Sequence, residues 1–475
     1  MNAVATERVQ AAESDSPPPP LVVDLDGTLV KTDLLLESVI ALLRKHPVYL
    51  FLLPLWALHG KAWFKHHVAR RVSLDMSSLP WRTGFIGYLS DERAHGRSIV
   101  LATGSDMLIA RQVADHLKLF DKVFASDGST NLRGRAKRDL LVGEFGEGGF
   151  DYAADGGGGI GLPDRTVWRA ARNAIRVPRE PLLRQARLCL AALRPAHWLK
   201  NLLVFVPLIA AHRLLDLPEL TKSLLAFVAF GLCASSGYLL NDLLDLESDR
   251  HHPQKRFRPF ASGDLPLGYA LIAIPLLLGA ACFVGASASP LLVAILVLYF
   301  GMSAAYSLRI KRIAILDVLF LAGLYSVRII AGTAATGIES SHWLLAFSTF
   351  LFFSLALVKR YGELVLMRKV DGQNAHARGY EIGDAELLAA MGTASGYLAV
   401  LVLALYIASD KAAVLYSHPH LLWFLCPLLL YWISQVWLTA HRGGMHHDPV
   451  VFATSDRTSR ILLLLMAATA ILAIG

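Results

Sequence analysis

The sequence predicts two folds in one chain: an α/β front of about 160 residues with a helical insert, followed by an all-α membrane bundle of about nine transmembrane helices. Three observations predict it. Hydrophobic residues make up 54% of the 475, and they concentrate after about residue 198 in runs that approach the ~20 residues needed to cross ~30 Å of hydrocarbon. Before that point the apolar runs are short and read as buried strands that end in acid or hydroxyl side chains. Lys and Arg crowd alternate connections between the long runs, as one cytoplasmic face requires.

Residues 1–20 hold Glu7, Glu13 and Asp15, end in Pro17 to Pro20 and lack an apolar stretch, so they read as a disordered lead rather than a signal peptide. Leu21-Val-Val-Asp-Leu-Asp-Gly-Thr-Leu29 is a strand ending in two carboxylates and a glycine turn. Asp24 is placed to attack phosphorus and form an aspartyl-phosphate, and Asp26 to protonate the leaving group and later activate water. A second strand, Ser98-Ile-Val-Leu-Ala-Thr-Gly104, ends in the Thr103 hydroxyl, which suits a phosphate oxygen. Lys137 follows with a compensating positive charge, and Phe150-Asp-Tyr-Ala-Ala-Asp155 is a third strand ending in acid. The insert between the first two strands, about 31–95, reads as a helical cap. It contains Val48-Tyr-Leu-Phe-Leu-Leu-Pro-Leu-Trp-Ala-Leu58, too short to span a bilayer, then Lys61, Lys65, His66, His67, Arg70 and Arg71. Such a run suits either a cap core or the membrane interface; in the second case the substrate is lipid-linked.

This ordered set resembles the haloacid dehalogenase superfamily of Mg²⁺-dependent phosphatases. The resemblance implies a Rossmann-like domain over 21–180, with Asp24 as nucleophile, Asp26 as acid/base and Thr103 and Lys137 as phosphate ligands. It also implies Mg²⁺ held among Asp24, Asp26 and Asp155. The family usually places a second acid about four residues after the last; here Gly156 to Gly159 follow Asp155, and Asp164 is a distant substitute.

Candidate spans are 198–212, 223–241, 268–287, 290–307, 313–336, 342–358, 386–408, 420–439 and 459–475. The connections at Arg250 to Arg258, Arg309 to Arg312, Lys359 to Lys369 and Arg442 to Arg460 are basic, whereas those at Ser287 to Pro290 and Gly337 to Ser341 carry no base. The N-terminal domain and the active sites are therefore expected on the cytoplasmic side of an inner (cell) membrane, and the C-terminus outside. The net charge of +8 and the pI near 9.3 follow from this bias and an anionic inner leaflet. No aromatic-interleaved basic module points to nucleic acid. Cys189, Cys233, Cys282 and Cys426 have no metal spacing and read as core residues.

Where the second span ends, Asn241-Asp-Leu-Leu-Asp-Leu-Glu-Ser-Asp249 places three acids. At about 100° per helical residue, Asp242, Asp245 and Asp249 share an arc of roughly 60° and can face one point. Acids at a membrane helix end suit Mg²⁺ bridged to phosphates, and Arg250, His251, His252, Lys255, Arg256 and Arg258 follow at once.

The pattern Asn241-Asp-x-x-Asp-x-x-x-Asp249-Arg-x-His-Pro-x-Lys255-x-x-Arg258-Pro resembles the UbiA-type intramembrane prenyltransferases over about 185–475. Arg194-Pro-Ala-His-Trp-Leu-Lys200-Asn201, Tyr306-Ser-Leu-Arg309-x-Lys311-Arg312, Lys359-Arg360-x-x-Glu363 and Asp448-Pro through Asp456-Arg457 look like the branch that acts on decaprenyl phosphate, the polyprenyl-phosphate phosphoribosyltransferases. Prenyl diphosphate users in the superfamily usually carry a second acidic motif near the sixth span, where this chain has Lys359, Arg360 and Glu363. One acidic cluster among many cations fits phosphoribosyl pyrophosphate: the diphosphate for Mg²⁺ at Asp242, Asp245 and Asp249, the separate phosphate for Lys and Arg. The implied reaction has a polyprenyl phosphate, its tail in the bilayer, attack ribose C1 as pyrophosphate leaves; Lys200, Asn201, Lys255, Arg258, Tyr306, Arg309, Lys311, Lys359 and Arg360 bind substrate. The fused front domain would then remove the product's 5-phosphate. The alternatives are an aromatic prenyltransferase using a polyprenyl diphosphate, and a membrane transporter or receptor with a regulatory front domain.

Overall fold

The structure, a computed structural model, describes residues 18–155, 164–178, 181–339, 341–371, 376–377, 379–445, 452–453 and 455–474. Most of the expected lead, the glycine run 156–159 and Asp448 lie outside them. The chain forms two compact units, one of residues 1–189 with 245–269, the other of 190–244 with 270–475.

The first unit is built on a five-stranded parallel sheet of β1 (Leu21–Val23), β2 (Ile99–Asp106), β3 (Lys122–Ser126), β4 (Asp151–Ala154) and β5 (Ala174–Arg176), in the order β3-β2-β1-β4-β5. The short β1 is central because helices cover both faces, and all three of its side chains are fully buried. It pairs in parallel with β2, Leu21 opposite Ile99, and with β4, Leu21 opposite Asp151. The α/β front is therefore as expected, a parallel sheet with helices. The insert holds α1 (Leu34–Lys45), capped by Asp33, whose side chain accepts the Leu36 N–H, then α2 (Tyr49–Ala57) and α3 (Lys61–Ala69).

Residues 245–269 complete this unit. They form a short helix, Leu246–His251, and a 3₁₀ turn, Lys255–Phe257, with Phe260, Ala261 and Leu265 buried beneath. Arg250 reaches Glu37 of α1 through two hydrogen bonds, 2.5 and 3.2 Å, and both side chains are 6% exposed. Lys31 pairs with Asp264 at 2.7 Å, Arg44 with Glu247, and His251 with Asp75 at 3.3 Å.

The second unit is helical. Among the described residues, eight helices across the chain are long and apolar enough to cross a membrane: Leu217–Leu244, Leu267–Ala288, Pro290–Arg312, Leu316–Thr336, His342–Arg368, Ile382–Ile407, Pro419–His441 and Arg457–Ile474. The count of nine is corrected at the first expected span, 198–212, which is not one helix. It is an irregular segment, a 3₁₀ stretch Pro195–Phe205 followed by the short helix Val206–Ala210, ending at His212 with φ +55°. The cause is visible in its packing. A Cβ at Gly332 would collide with the Val204 carbonyl, so the absent side chain lets the 3₁₀ backbone lie directly on the helix Leu316–Thr336.

Candidate functional site

In the first unit, parallel pairing brings three expected residues to the carboxyl ends of adjacent strands, the usual ligand position in open α/β sheets. Asp24 follows β1, Thr103 lies in β2 and Asp155 follows β4. Lys137 donates to Asp24 Oδ1 at 2.8 Å and to the Tyr152 hydroxyl at 3.0 Å, and Tyr152 donates to Asp164 Oδ1 at 3.0 Å. Asp164, distant in sequence, thus lies 3.6 Å from Lys137 and belongs to the same cluster. Asp26 accepts the Leu34 N–H at 2.8 Å and the Ser105 hydroxyl at 2.6 Å.

Burial dominates the electrostatics. It pushes the Asp26 carboxyl up to about 7, assisted by Asp33, so that near neutral pH it can both give and take a proton. Burial also raises Asp24, while Lys137 opposes the shift. Lys65 of α3, which the sequence did not single out for this site, donates to the Gly104 carbonyl at 2.5 Å and to Asn131 Oδ1 at 2.8 Å; burial lowers its ammonium. Gly27 has φ +75°, and a Cβ there would collide with the Asp155 carboxylate, which therefore lies against the Asp24–Gly27 turn. Hard oxygen donors from Asp24 and Asp155 beside one turn fit Mg²⁺, which takes one or two carboxylates and fills its shell with water and phosphate. Among the described residues, no cluster of three or more His, Cys, Asp or Glu forms an all-protein cage.

At the acidic motif, the continuous helix expected through Asp249 is interrupted. The helix Leu217–Leu244 ends before Asp245, which has φ −99° and ψ 5°, and the next helix starts at Leu246. Asp242 is buried and accepts from Arg194. Asp249 is buried and accepts from Arg258 at 2.6 Å; burial raises its carboxyl and Arg258 opposes the shift. Asp245 and Lys255 are half-buried.

In the second unit, Lys200 and Asn201 lie on the 3₁₀ stretch, both buried. The Lys200 ammonium stands 5.4 Å over the Tyr325 ring. Asn201 Oδ1 accepts from Arg328 Nε at 2.9 Å, and its Nδ2 is buried with no partner in the structure. Arg328 was missed in the sequence, although an arginine inside an apolar span is a functional signal in itself. It is 3% exposed, donates to the Tyr299 hydroxyl at 2.8 Å and faces the rings of Phe230, Tyr299 and Tyr325.

Arg360 is 1% exposed; it donates to Asp317, to Glu363 at 2.6 Å and to the Tyr306 hydroxyl at 2.6 Å. Tyr380 donates to the other Asp317 oxygen at 2.5 Å. Two expected substrate residues, Tyr306 and Arg360, are thus brought together, around a buried Asp317 that the sequence did not single out. Lys311 is buried, Lys359 half-buried and Arg309 exposed. Because removing one partner strands a buried charge, Arg360→Ala is expected to destabilise the membrane unit by about 3–5 kcal/mol. Thermal unfolding in detergent checks it; an unchanged Tm would mean that the network is not a structural brace.

A model of the UbiA prenyltransferase family matches residues 202–453. The protein y4nM of Sinorhizobium fredii is 34% identical across 96% of this chain and 91% of its own length. The decaprenyl-phosphate phosphoribosyltransferase of Mycobacterium tuberculosis is 33% identical, covering 58% of this chain and 91% of that protein. Among solved structures, a UbiA homolog from Archaeoglobus fulgidus bound to DMAPP and Mg²⁺ overlays with a TM-score of 0.46 at 16% identity, over 60% of this chain and 98% of the other.

Proposed function

Because the chain belongs to the UbiA prenyltransferase family and is a multi-pass membrane enzyme of it, we propose that its membrane half transfers 5-phosphoribosyl from phosphoribosyl pyrophosphate to a polyprenyl phosphate. The observation that carries the proposal is the charge balance: one aspartate-rich motif at 242–249, and basic residues Lys359 and Arg360 where a second acidic motif would serve a prenyl diphosphate. The relatives named decaprenyl-phosphate phosphoribosyltransferase support the same acceptor class. Asp242, Asp245 and Asp249 would hold Mg²⁺, which when bound would supply charge neutralisation to the departing pyrophosphate. Lys255 and Arg258 bind phosphate beside them, Lys200, Asn201, Tyr306, Arg309, Lys311 and Lys359 hold the sugar phosphate and the lipid phosphate, and Arg360 positions Tyr306 through its 2.6 Å hydrogen bond. The acceptor needs no activating base, since a phosphate monoester is anionic at neutral pH. The direct test is radiolabelled phosphoribosyl pyrophosphate incubated with a polyprenyl phosphate and the purified protein. Label in the organic phase is expected; its absence overturns the proposal.

Thermal protection separates the donor classes. With Mg²⁺, phosphoribosyl pyrophosphate at a hundred times its Kd should stabilise by about 2.7 kcal/mol, and geranyl diphosphate should not. Equal protection by both favours prenyl transfer to an aromatic acceptor.

The front domain is proposed to be a haloacid dehalogenase-like phosphatase acting on that product. Asp24 attacks phosphorus and forms an aspartyl-phosphate as the bond to the ribose oxygen breaks; Asp26 protonates that oxygen and then takes a proton from the water that hydrolyses the aspartyl-phosphate and releases phosphate. Thr103 and Lys137 hold the phosphate oxygens, and Asp24 and Asp155 would hold Mg²⁺, which would add charge neutralisation. The strand-end cluster and the Asp26 carboxyl near 7 support this reading. Fusion raises the effective concentration of product at the second site without any new contact.

We place the front domain on the cytoplasmic side of the cell membrane and the C-terminus outside, from the basic connections. This needs a ninth crossing, and 195–210 has the reach: 11 residues at 2.0 Å and five at 1.5 Å give about 30 Å. A C-terminal alkaline phosphatase fusion should be active in intact cells. An inactive fusion, with a C-terminal fluorescent protein that glows, would leave eight crossings.

A further inference from the structure

Helix α2, Tyr49–Ala57, buries none of its side chains, although eight of the nine are hydrophobic and the ninth is Pro54. Val48, Phe51, Leu52, Leu55 and Leu58 lie within an arc of about 120°, and their exposures are 70, 78, 37, 55 and 82%. The flank of the helix that carries Tyr49 and Trp56 rests on α3 through an aromatic layer, while Leu50 beyond it is 58% exposed. Trp56 meets Tyr49 at 5.2 Å and Trp63 at 6.3 Å, Trp63 stacks on His59 and His67, and Arg71 lies 4.7 Å over the Trp56 ring. A cap core is thereby excluded for α2: its apolar face points away from the fold.

We propose that the α2–α3 hairpin is a membrane-interface anchor that lays α2 on an anionic lipid surface and presents a bilayer-borne phosphate monoester to Asp24. Its second half rests on the phosphatase reading above; its first half does not. Charge selects the occupant. From Lys45 to Arg71 the chain holds Lys45, Lys61, Lys65, Arg70 and Arg71, four histidines and no acid, which suits anionic headgroups and disfavours an ordinary mixed-charge protein surface. Aromatic rings between an apolar face and a basic flank are the usual arrangement at headgroup level. Depth is limited by length and by proline: nine residues reach about 14 Å, and Pro54 leaves a backbone carbonyl that needs water. The helix therefore lies in the interface instead of crossing.

The same hairpin reaches the phosphate site. Its second arm carries Lys65, on Gly104 and Asn131, and His66, whose Nδ1 is 3.1 Å from Asp106. One rigid element thus has lipid contact on one arm and a cation beside Thr103 on the other. Lys65 is assigned as a further phosphate-binding residue, and the anchor restricts substrates to those held in the bilayer.

The test uses the full chain in vesicles of one part phosphatidylglycerol to three parts phosphatidylcholine. Phe51→p-benzoylphenylalanine is expected to form photo-adducts with lipid, as should the same substitution at Leu464, 70% exposed on a membrane-spanning helix, while the substitution at the exposed Asp139 should not. Lipid adducts at 464 with none at 51 overturn the anchor, and so do adducts at 51 that join only protein to protein. Phe51→Glu combined with Leu55→Glu should then cut hydrolysis of a lipid-borne phosphate monoester more than tenfold and leave p-nitrophenyl phosphate hydrolysis within twofold. Equal loss on both, or on neither, overturns the substrate restriction. Wild-type protein that hydrolyses neither compound removes the phosphatase, and with it the substrate restriction, while the photo-adducts still decide the anchor.

Discussion

Asp245→Asn is expected to lower transfer of label from phosphoribosyl pyrophosphate to lipid by about 10²- to 10³-fold, with no change in thermal stability. The substitution changes charge with little change of shape. Asp245 sits at the break between two helices, half-buried, and its backbone carbonyl accepts the Asp249 N–H at 2.7 Å. Asparagine keeps that backbone and the side-chain shape and removes only the charge. Full activity in the Asp245 variant would remove the aspartates from the mechanism.

Asp24→Asn is expected to stop the sequence of reactions at the 5-phosphate. Wild-type protein should yield polyprenyl-phosphoryl-ribose; the variant should accumulate polyprenyl-phosphoryl-5-phosphoribose, with hydrolysis down at least about 10⁴-fold, the scale on which loss of a nucleophile is felt. Transfer itself should be unchanged, since the substitution leaves the acidic motif alone. Lys137 loses its ion pair with Asp24 but keeps Tyr152 at 3.0 Å and Asp164 at 3.6 Å, so the domain should remain folded. Lipid products resolved by mass decide it. A 5-phosphate that persists equally in both proteins would make the front domain a binding or regulatory module.

What was legible in the sequence was what depends on near neighbours. Strand-end positions for Asp24, Thr103 and Asp155 follow from short apolar runs and the residues that stop them, and eight long apolar helices follow from additive hydropathy. Features that rest on distant partners were not legible. Asn201 meets Arg328 across 127 positions, and the 3₁₀ stretch that carries Asn201 lies with its Val204 carbonyl against Gly332, where any side chain would collide. Asp317 was not singled out in the sequence, and only the fold shows it between Arg360 and Tyr380. Asp164 looked remote from Asp155 because chain distance says nothing about its place 3.6 Å from Lys137.

The grouping of residues 245–269 with the front domain has a consequence for the order in which the protein is made. Glu37 is translated 213 residues before Arg250, the partner with which it is buried. At about 5–20 residues per second the ribosome needs roughly 10–40 s to cover that interval. All five strands of the front sheet are complete by Arg176, so that domain can be folded, with Glu37 still hydrated, before the acidic loop emerges. Glu37, Lys31 and Arg44 are then in place to receive Arg250, Asp264 and Glu247 as the loop is released. In this chain the contacts of the acidic loop with α1 are therefore late ones, available only after the strands beneath α1 have been made.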